Sequence, residues 1–171
     1  MNAAGSTKRQ VTKLNVASFA PVFTPDGRRI IFCTNYFATD PRKRNFDLAL
    51  INVDGTGLER VTYNESFDGF PMFSPDGKKI LFASSHLDPK MGETEAAERK
   101  QQEEDKKSGV RRRYKWDFDP YSDIFEADLD GHILRRLTEA TGYDAEGACS
   151  KDGKLIAFCC GRAGDPDIYV I

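Results

Sequence analysis

No apolar run in this chain approaches the ~18 residues that a membrane-crossing helix needs, and no signal peptide is expected before the repeats. A basic excess is also missing. Twenty-five Lys and Arg stand against 27 Asp and Glu, a net charge of −2, which argues against a general nucleic-acid binder. The four cysteines, Cys33, Cys149, Cys159 and Cys160, show no zinc spacing such as C-x₂-C. Histidine occurs only as His86 and His132, and no G-x-S-x-G stretch occurs. A serine-hydrolase elbow is therefore absent. A Ser/His/Asp arrangement is formally available near Ser84, Ser85 and His86, but no motif orients one. Neither a nucleic acid nor a membrane is expected as a partner.

What the chain does have is repetition. Each of three units opens with a glycine turn leading to a short strand: Gly5 to Val11-Thr12, Gly55 to Val61-Thr62, and Gly131 to Leu137-Thr138. Each then has a tight turn, Pro25-Asp26-Gly27, Pro75-Asp76-Gly77 or Lys151-Asp152-Gly153. Asp-Gly between two apolar runs is a strong hairpin signal, since glycine accepts positive φ and aspartate bonds its own turn backbone. The runs that follow are Ile30-Ile31-Phe32-Cys33, Ile80-Leu81-Phe82-Ala83 and Ile156-Ala157-Phe158-Cys159. Cys33 and Cys159 occupy the place of Ala83 and read as small core residues. Each unit finishes on a strand led by Asp47, Asp123 or Asp167. These acids, like those of the turns, recur in every unit and read as caps for backbone amides.

The expected fold class is all-β, with three four-stranded blades in one domain over residues 1–171 and repeats at 2–51, 52–127 and 128–171. Asp167-Ile168-Tyr169-Val170-Ile171 joined to Asn2-Ala3-Ala4-Gly5 reproduces the interior string Asp47 to Gly55. The two termini thus read as halves of one unit, with Met1 outside the register. A natural half-propeller and an excised, engineered fragment both fit that register.

The string Phe19-Ala20-Pro21-Val22-Phe23-Thr24-Pro25-Asp26-Gly27-Arg28-Arg29-Ile30-Ile31-Phe32 resembles the TolB-type, WD40-like β-propeller repeat. Phe70 to Phe82 is more similar still, whereas Glu146 to Gly153 lacks both prolines. The resemblance covers nearly all of the chain outside one insertion. It implies a ring of about six blades, so three blades imply a homodimer in which each chain's last strand meets the other's first. Such blades serve in periplasmic scaffolds and as the gating domain of prolyl-oligopeptidase-like hydrolases. The resemblance therefore implies a non-catalytic module for a protein, peptide or small ligand, with a hydrolase's propeller lacking its catalytic domain as the alternative.

Unit two carries an insertion at about residues 88–119. Glu93 to Lys107 is polar on every face and reads as a solvated helix or loop. Val110 to Phe118 mixes basic and aromatic residues, with Arg112 and Trp116 as candidate binding anchors. Unit one has a shorter extension at the same place, containing Arg42, Lys43 and Arg44. In the overlay Ser18, Asp68 and Asp144 coincide, as do Ala20, Phe70 and Glu146. A closed ring is then expected to gather Asp68, Asp144 and Glu146 around its channel, where crowded carboxylates hold a divalent cation such as Ca²⁺ or form a wet acidic rim. No other cofactor is expected.

Overall fold

The computed structural model describes residues 8–39, 45–87, 91–109, 122–139, 142–163 and 166–171. They form three antiparallel sheets. The first contains β1 (Ser18–Phe23), β2 (Arg29–Thr34), β3 (Asp47–Asn52) and β4 (Glu59–Arg60), in that spatial order. The second repeats it with β5 (Asp68–Phe73), β6 (Ile80–Ser84), β7 (Asp123–Ala127) and β8 (Ile133–Arg136). The third has three strands among the described residues: β9 (Asp144–Cys149), β10 (Ile156–Cys160) and β11 (Asp167–Val170). An 18-residue helix, α1 (Met91–Ser108), lies between β6 and β7.

Every tight turn is built alike. Asp26 Oδ1 accepts the Arg28 amide at 3.0 Å and the Thr24 hydroxyl at 2.6 Å. Asp76 and Asp152 do the same with Ser74 and Lys78, and with Ser150 and Lys154. These bonds, the Thr24 hydroxyl's first, hold the Asp26 carboxyl below its usual range. The acids that lead the outer strands behave differently from the expected caps. Asp47 and Asp123 are buried and bind guanidinium groups, Asp47 with Arg60 at 2.9 Å and Asp123 with Arg136 at 2.6 Å. Both arginines lie on the neighbouring fourth strand, so each ion pair pins that strand to the third.

The sheets straddle the sequence repeats. β4 lies in the second repeat yet pairs with β3 of the first, and β8 pairs with β7 in the same offset way. The matching segment of the first repeat, around Val11 and Thr12, is not a strand here. Its physical reason is that a strand is defined by its partner, and within the described residues no third strand lies beside it.

The core forms between sheets. Ile31, Leu48 and Leu50 of the first blade, with Val61 at its outer edge, meet Ile80, Phe82, Phe125 and Ala127 of the second. Leu81 and Ile124 of the second meet Phe158 and Cys160 of the third, with Leu137, Ile156 and Tyr169 beside them. Consecutive side chains of a strand point to opposite faces, so each blade presents a leading face to the blade before it and a trailing face to the blade after it. The four cysteines are free; Cys33 and Cys160 are buried, Cys149 and Cys159 half-buried. Among the described residues the α1 helix makes no contact with a strand, and its sequence is too polar to offer an apolar stripe. It spans about 27 Å. No described helix is long and apolar enough to cross a membrane.

Candidate functional site

Strand direction sorts the connections into two ends. The tight turns and the glycine turns after β3 and β7 lie at one end. The connection leaving β2, the insertion leaving β6, the segment leaving β10 and the links into β5 and β9 all emerge at the other. That loop-bearing end gathers Tyr36, Tyr63 and Leu87, which are exposed, and the half-buried His86. Arg60 extends to it as well. Its guanidinium lies 4.8 Å from the Tyr63 ring centroid and 5.4 Å from that of Phe37 while bonding Asp47 and the Thr62 carbonyl. Cation–π stacking and the ion pair together fix its geometry.

Beneath this end, each blade joins its inner strand to the next through a side-chain pair. Ser18 Oγ lies 3.2 Å from Thr34 Oγ1 in the first blade. In the second, Ser84 Oγ donates to Asp68 Oδ1 at 2.5 Å, and Asn64 Nδ2 donates to Asp68 Oδ2 at 2.6 Å. In the third, Arg162 reaches Asp144 at 3.1 Å and stacks over Tyr169. Asp68 and Asp144 are thus fully buried and engaged by the protein itself. They do not form the water-facing ring expected of them. Of the three carboxylates singled out by the overlay, Glu146 alone is exposed. The overlay located the positions correctly but not their orientation: the first residue of the inner strand points into the blade.

Burial is the largest influence on Asp68. It pushes the carboxyl up to about 7, against hydrogen bonds from Ser84, Thr62 and Asn64 that favour the charged form. Among the described residues no lysine or arginine pairs with it. Burial likewise raises Asp47 and Asp123 despite their arginines, and among the described residues the second oxygen of Asp47 has no hydrogen-bond partner.

Ser84 Oγ also lies 2.8 Å from His86 Nδ1. This unites a serine, a histidine and an aspartate, but in an order that does not make a nucleophile. The serine sits in the middle, it is buried, and both neighbours occupy its hydroxyl. In a hydrolytic triad the serine stands at the open end. Burial, and then the charge of Arg136, lowers the pKa of His86.

The inner strands share one further feature. Each has a register irregularity, and in each a residue other than glycine adopts positive φ: Ala20 at 50°, Phe70 at 52° and Glu146 at 57°. A bulge re-aims side chains that a regular strand would alternate. Around Phe70 it completes an aromatic cluster with Phe19, Phe46 and Phe67, with ring centroids 5.4–6.5 Å apart. No sequence signal in the overlay marked this cluster, because it is built at one blade joint only. Arg112, Trp116, Arg42, Lys43 and Arg44 lie outside the described residues. Among the described residues, the acidic or imidazole side chains close enough to share an ion are Asp128, Asp130 and His132, at the opposite end. There His132 already bonds Asp128 through its ring at 3.0 Å and its amide at 2.9 Å.

Against known proteins, no family model and no curated sequence matches. Solved structures do. A TolB-type protein from Agrobacterium tumefaciens superposes with a TM-score of 0.64 at 21% identity, over 94% of this chain and 47% of that one. TolB from Acinetobacter baumannii gives 0.59 at 20%, over 91% and 29%. A puromycin hydrolase gives 0.56 at 14%, over 91% and 21%. The chain spans less than half the length of each of these proteins. At such identities the likeness is one of fold, and the fold is a TolB-like β-propeller built from consecutive blades.

Proposed function

We propose that the chain is a non-catalytic β-propeller binding module, half of a ring that two copies complete, with its loop-bearing end offered to a protein or peptide. The observation that carries this reading is the chemistry of that end. Tyr36, Tyr63 and Leu87 are exposed at that end, Tyr63 under the Arg60 guanidinium, while Ser84 below them is buried with its hydroxyl engaged by Asp68 and His86. Aromatic and arginine side chains are the usual anchors of protein interfaces. The TolB-like fold supports a module of this kind without specifying its ligand.

The test has two arms. A fluorophosphonate probe should leave every serine unlabelled; labelling of Ser84 would establish a reactive nucleophile and end the non-catalytic reading. Peptides selected from a random library on the immobilised protein should lose at least tenfold in affinity on Tyr36→Ala/Tyr63→Ala. Binding unchanged by that pair would move the site elsewhere. The likeness to a puromycin hydrolase supports a second reading, the gating propeller of a hydrolase. A catalytic α/β domain encoded in the same open reading frame would favour it.

A further inference from the structure

The third blade differs from the other two at its edge. β11 corresponds to β3 and β7, yet among the described residues no strand pairs with its outer edge. Ile156 and Ile171 exchange both backbone hydrogen bonds. Pairing alternates along an antiparallel ladder, so the amides of Ile168 and Val170 point away from β10. At the matching positions Leu48 and Ile124 donate their amides to Thr62 and Thr138 on the following segment, and their carbonyls accept Val61 and Leu137.

The side chains repeat the point. Ile124 is 1% exposed, its counterpart Ile168 75%. Where the trailing face of the second blade has Lys79 bound to Glu126 at 2.8 Å, the third has Leu155 and Val170, 52% and 57% exposed. An ion pair has been exchanged for an apolar patch at the position that a following blade would cover, and such patches mark interaction surfaces.

The chain also holds the complement. Val11 and Leu14 pack on the leading face of the first blade, against Phe32, Ala49 and Ile51, as Val61 packs on the second. A side chain at Gly55 would come within 2.9 Å of the Val11 carbonyl oxygen, and one at Gly131 would collide with that of Val61. Residues 9–12 therefore sit on the first blade as residues 59–62 sit on the second, with their outward edge free among the described residues. Gly77 and Gly153 each meet a proline of the preceding turn, Pro25 and Pro75, while nothing lies within 4 Å of a Cβ built at Gly27.

We propose that residues 9–12 of a second copy form the missing fourth strand of the third blade, while Leu155, Ile168 and Val170 pack on that copy's first blade. This rests on the two-chain ring reading and names its joint. The joints between blades one and two and between two and three supply the template, so both halves of the interface are present in one chain. The registers Ala49 with Arg60 and Phe125 with Arg136 set Gln10 opposite Tyr169, and Arg9 opposite Val170. The Val11 amide donates to the Ile168 carbonyl and the Ile168 amide to the Thr12 hydroxyl. Two such joints related by a two-fold axis close the ring.

Gln10 and Tyr169 form a pair without direct backbone hydrogen bonds, the closer kind across a ladder, and suit an engineered disulfide. The experiment uses Gln10→Cys/Tyr169→Cys in the full chain with Cys149→Ser and Cys159→Ser. Mild oxidation should convert most of the protein to a covalent two-chain species, with sedimentation giving twice 19.2 kDa before oxidation. A two-chain particle that does not cross-link would overturn the strand assignment and leave the ring reading standing. A monomer at tens of micromolar would overturn both, and a ladder of longer covalent chains would overturn closure. As a check on folding, Leu155→Asp in the otherwise native chain changes only an exposed residue. It should weaken association at least tenfold, and unchanged association would overturn the proposed packing.

Discussion

The second and third blades are built from the same pattern and end in opposite states. β7 is buried along its whole length, and β11 is exposed at three of its four residues. Their sequences, Asp-Ile-Phe-Glu-Ala and Asp-Ile-Tyr-Val, are nearly interchangeable, so the strands themselves do not explain the difference. Their neighbours do. β7 lies between β6 and β8 with the third blade stacked on it, whereas among the described residues β11 has a partner on one side only. A blade is thus a local unit in sequence and a non-local unit in stability, as stacked repeats require. The account predicts that the two blades become equivalent once a second chain is in place.

The largest expected effect falls on the ion pair that fastens the fourth strand. Arg136→Ala leaves the buried carboxylate of Asp123 unpaired and should cost about 3–5 kcal/mol by denaturant unfolding. At the corresponding place in the third blade Gln10 replaces arginine, and Gln10→Ala should cost no more than about 0.5 kcal/mol. A large loss at Gln10 would show that the two joints differ more than their sequences imply.

Next comes the pair of isoleucines. Ile124→Ala should cost about 2–5 kcal/mol, the usual range for a buried aliphatic residue. In a closed ring Ile168→Ala should approach the same value and make the melting temperature more dependent on concentration. If its cost stays within about 0.5 kcal/mol, the open edge of the third blade is simply a wet surface.

The third comparison is between Asp68 and Asp144, equivalent positions with different partners. The folded-state value of Asp68 is raised to about 7 from 3.8, so the protonated form is favoured by folding. Its contribution is fully present below about pH 4 and is lost as pH rises through 7. Asp68→Asn should therefore flatten the decline in stability between about pH 4 and 7. Asp144 is instead held by Arg162 at 3.1 Å. Equal pH profiles for parent and Asp68→Asn would mean that the carboxyl is ionised throughout.

The smallest effect is expected from the insertion. Removing 91–108 should change stability by no more than about 0.5 kcal/mol, since among the described residues α1 contacts no strand. Limited proteolysis should cut there first. Protection of α1 would show that it docks in solution.

Much of the architecture was legible because its determinants are local. The Asp-Gly turns are fixed by a few adjacent atoms, and Asp26, Asp76 and Asp152 bond as their spacing implied. The polarity of the inserted segment was legible for the same reason, and of its two readings, helix or loop, the structure has the helix over Met91–Ser108. The orientation of Asp68 and Asp144 was not, because the bulges at Phe70 and Glu146 lie downstream and the partners, Asn64, Ser84 and Arg162, come from other segments. Nor was the role of Asp47 and Asp123. Recurrence in every repeat identified them as blade residues, but only the pairing of third and fourth strands shows that arginines, not backbone amides, meet them. The aromatic cluster around Phe70 escaped because overlaying repeats highlights what recurs, and this cluster does not.

Hydrogen exchange at two amides tests the central claim most directly. The Ile124 amide donates to Thr138 at 2.9 Å inside a complete blade, and the Ile168 amide is its counterpart on the open edge. With the native chain at a concentration where it sediments as one species, the account predicts that both amides are protected to within about tenfold, each opening only with its whole blade. Exchange of Ile168 at the rate of an unpaired strand, beside a protected Ile124, would contradict it.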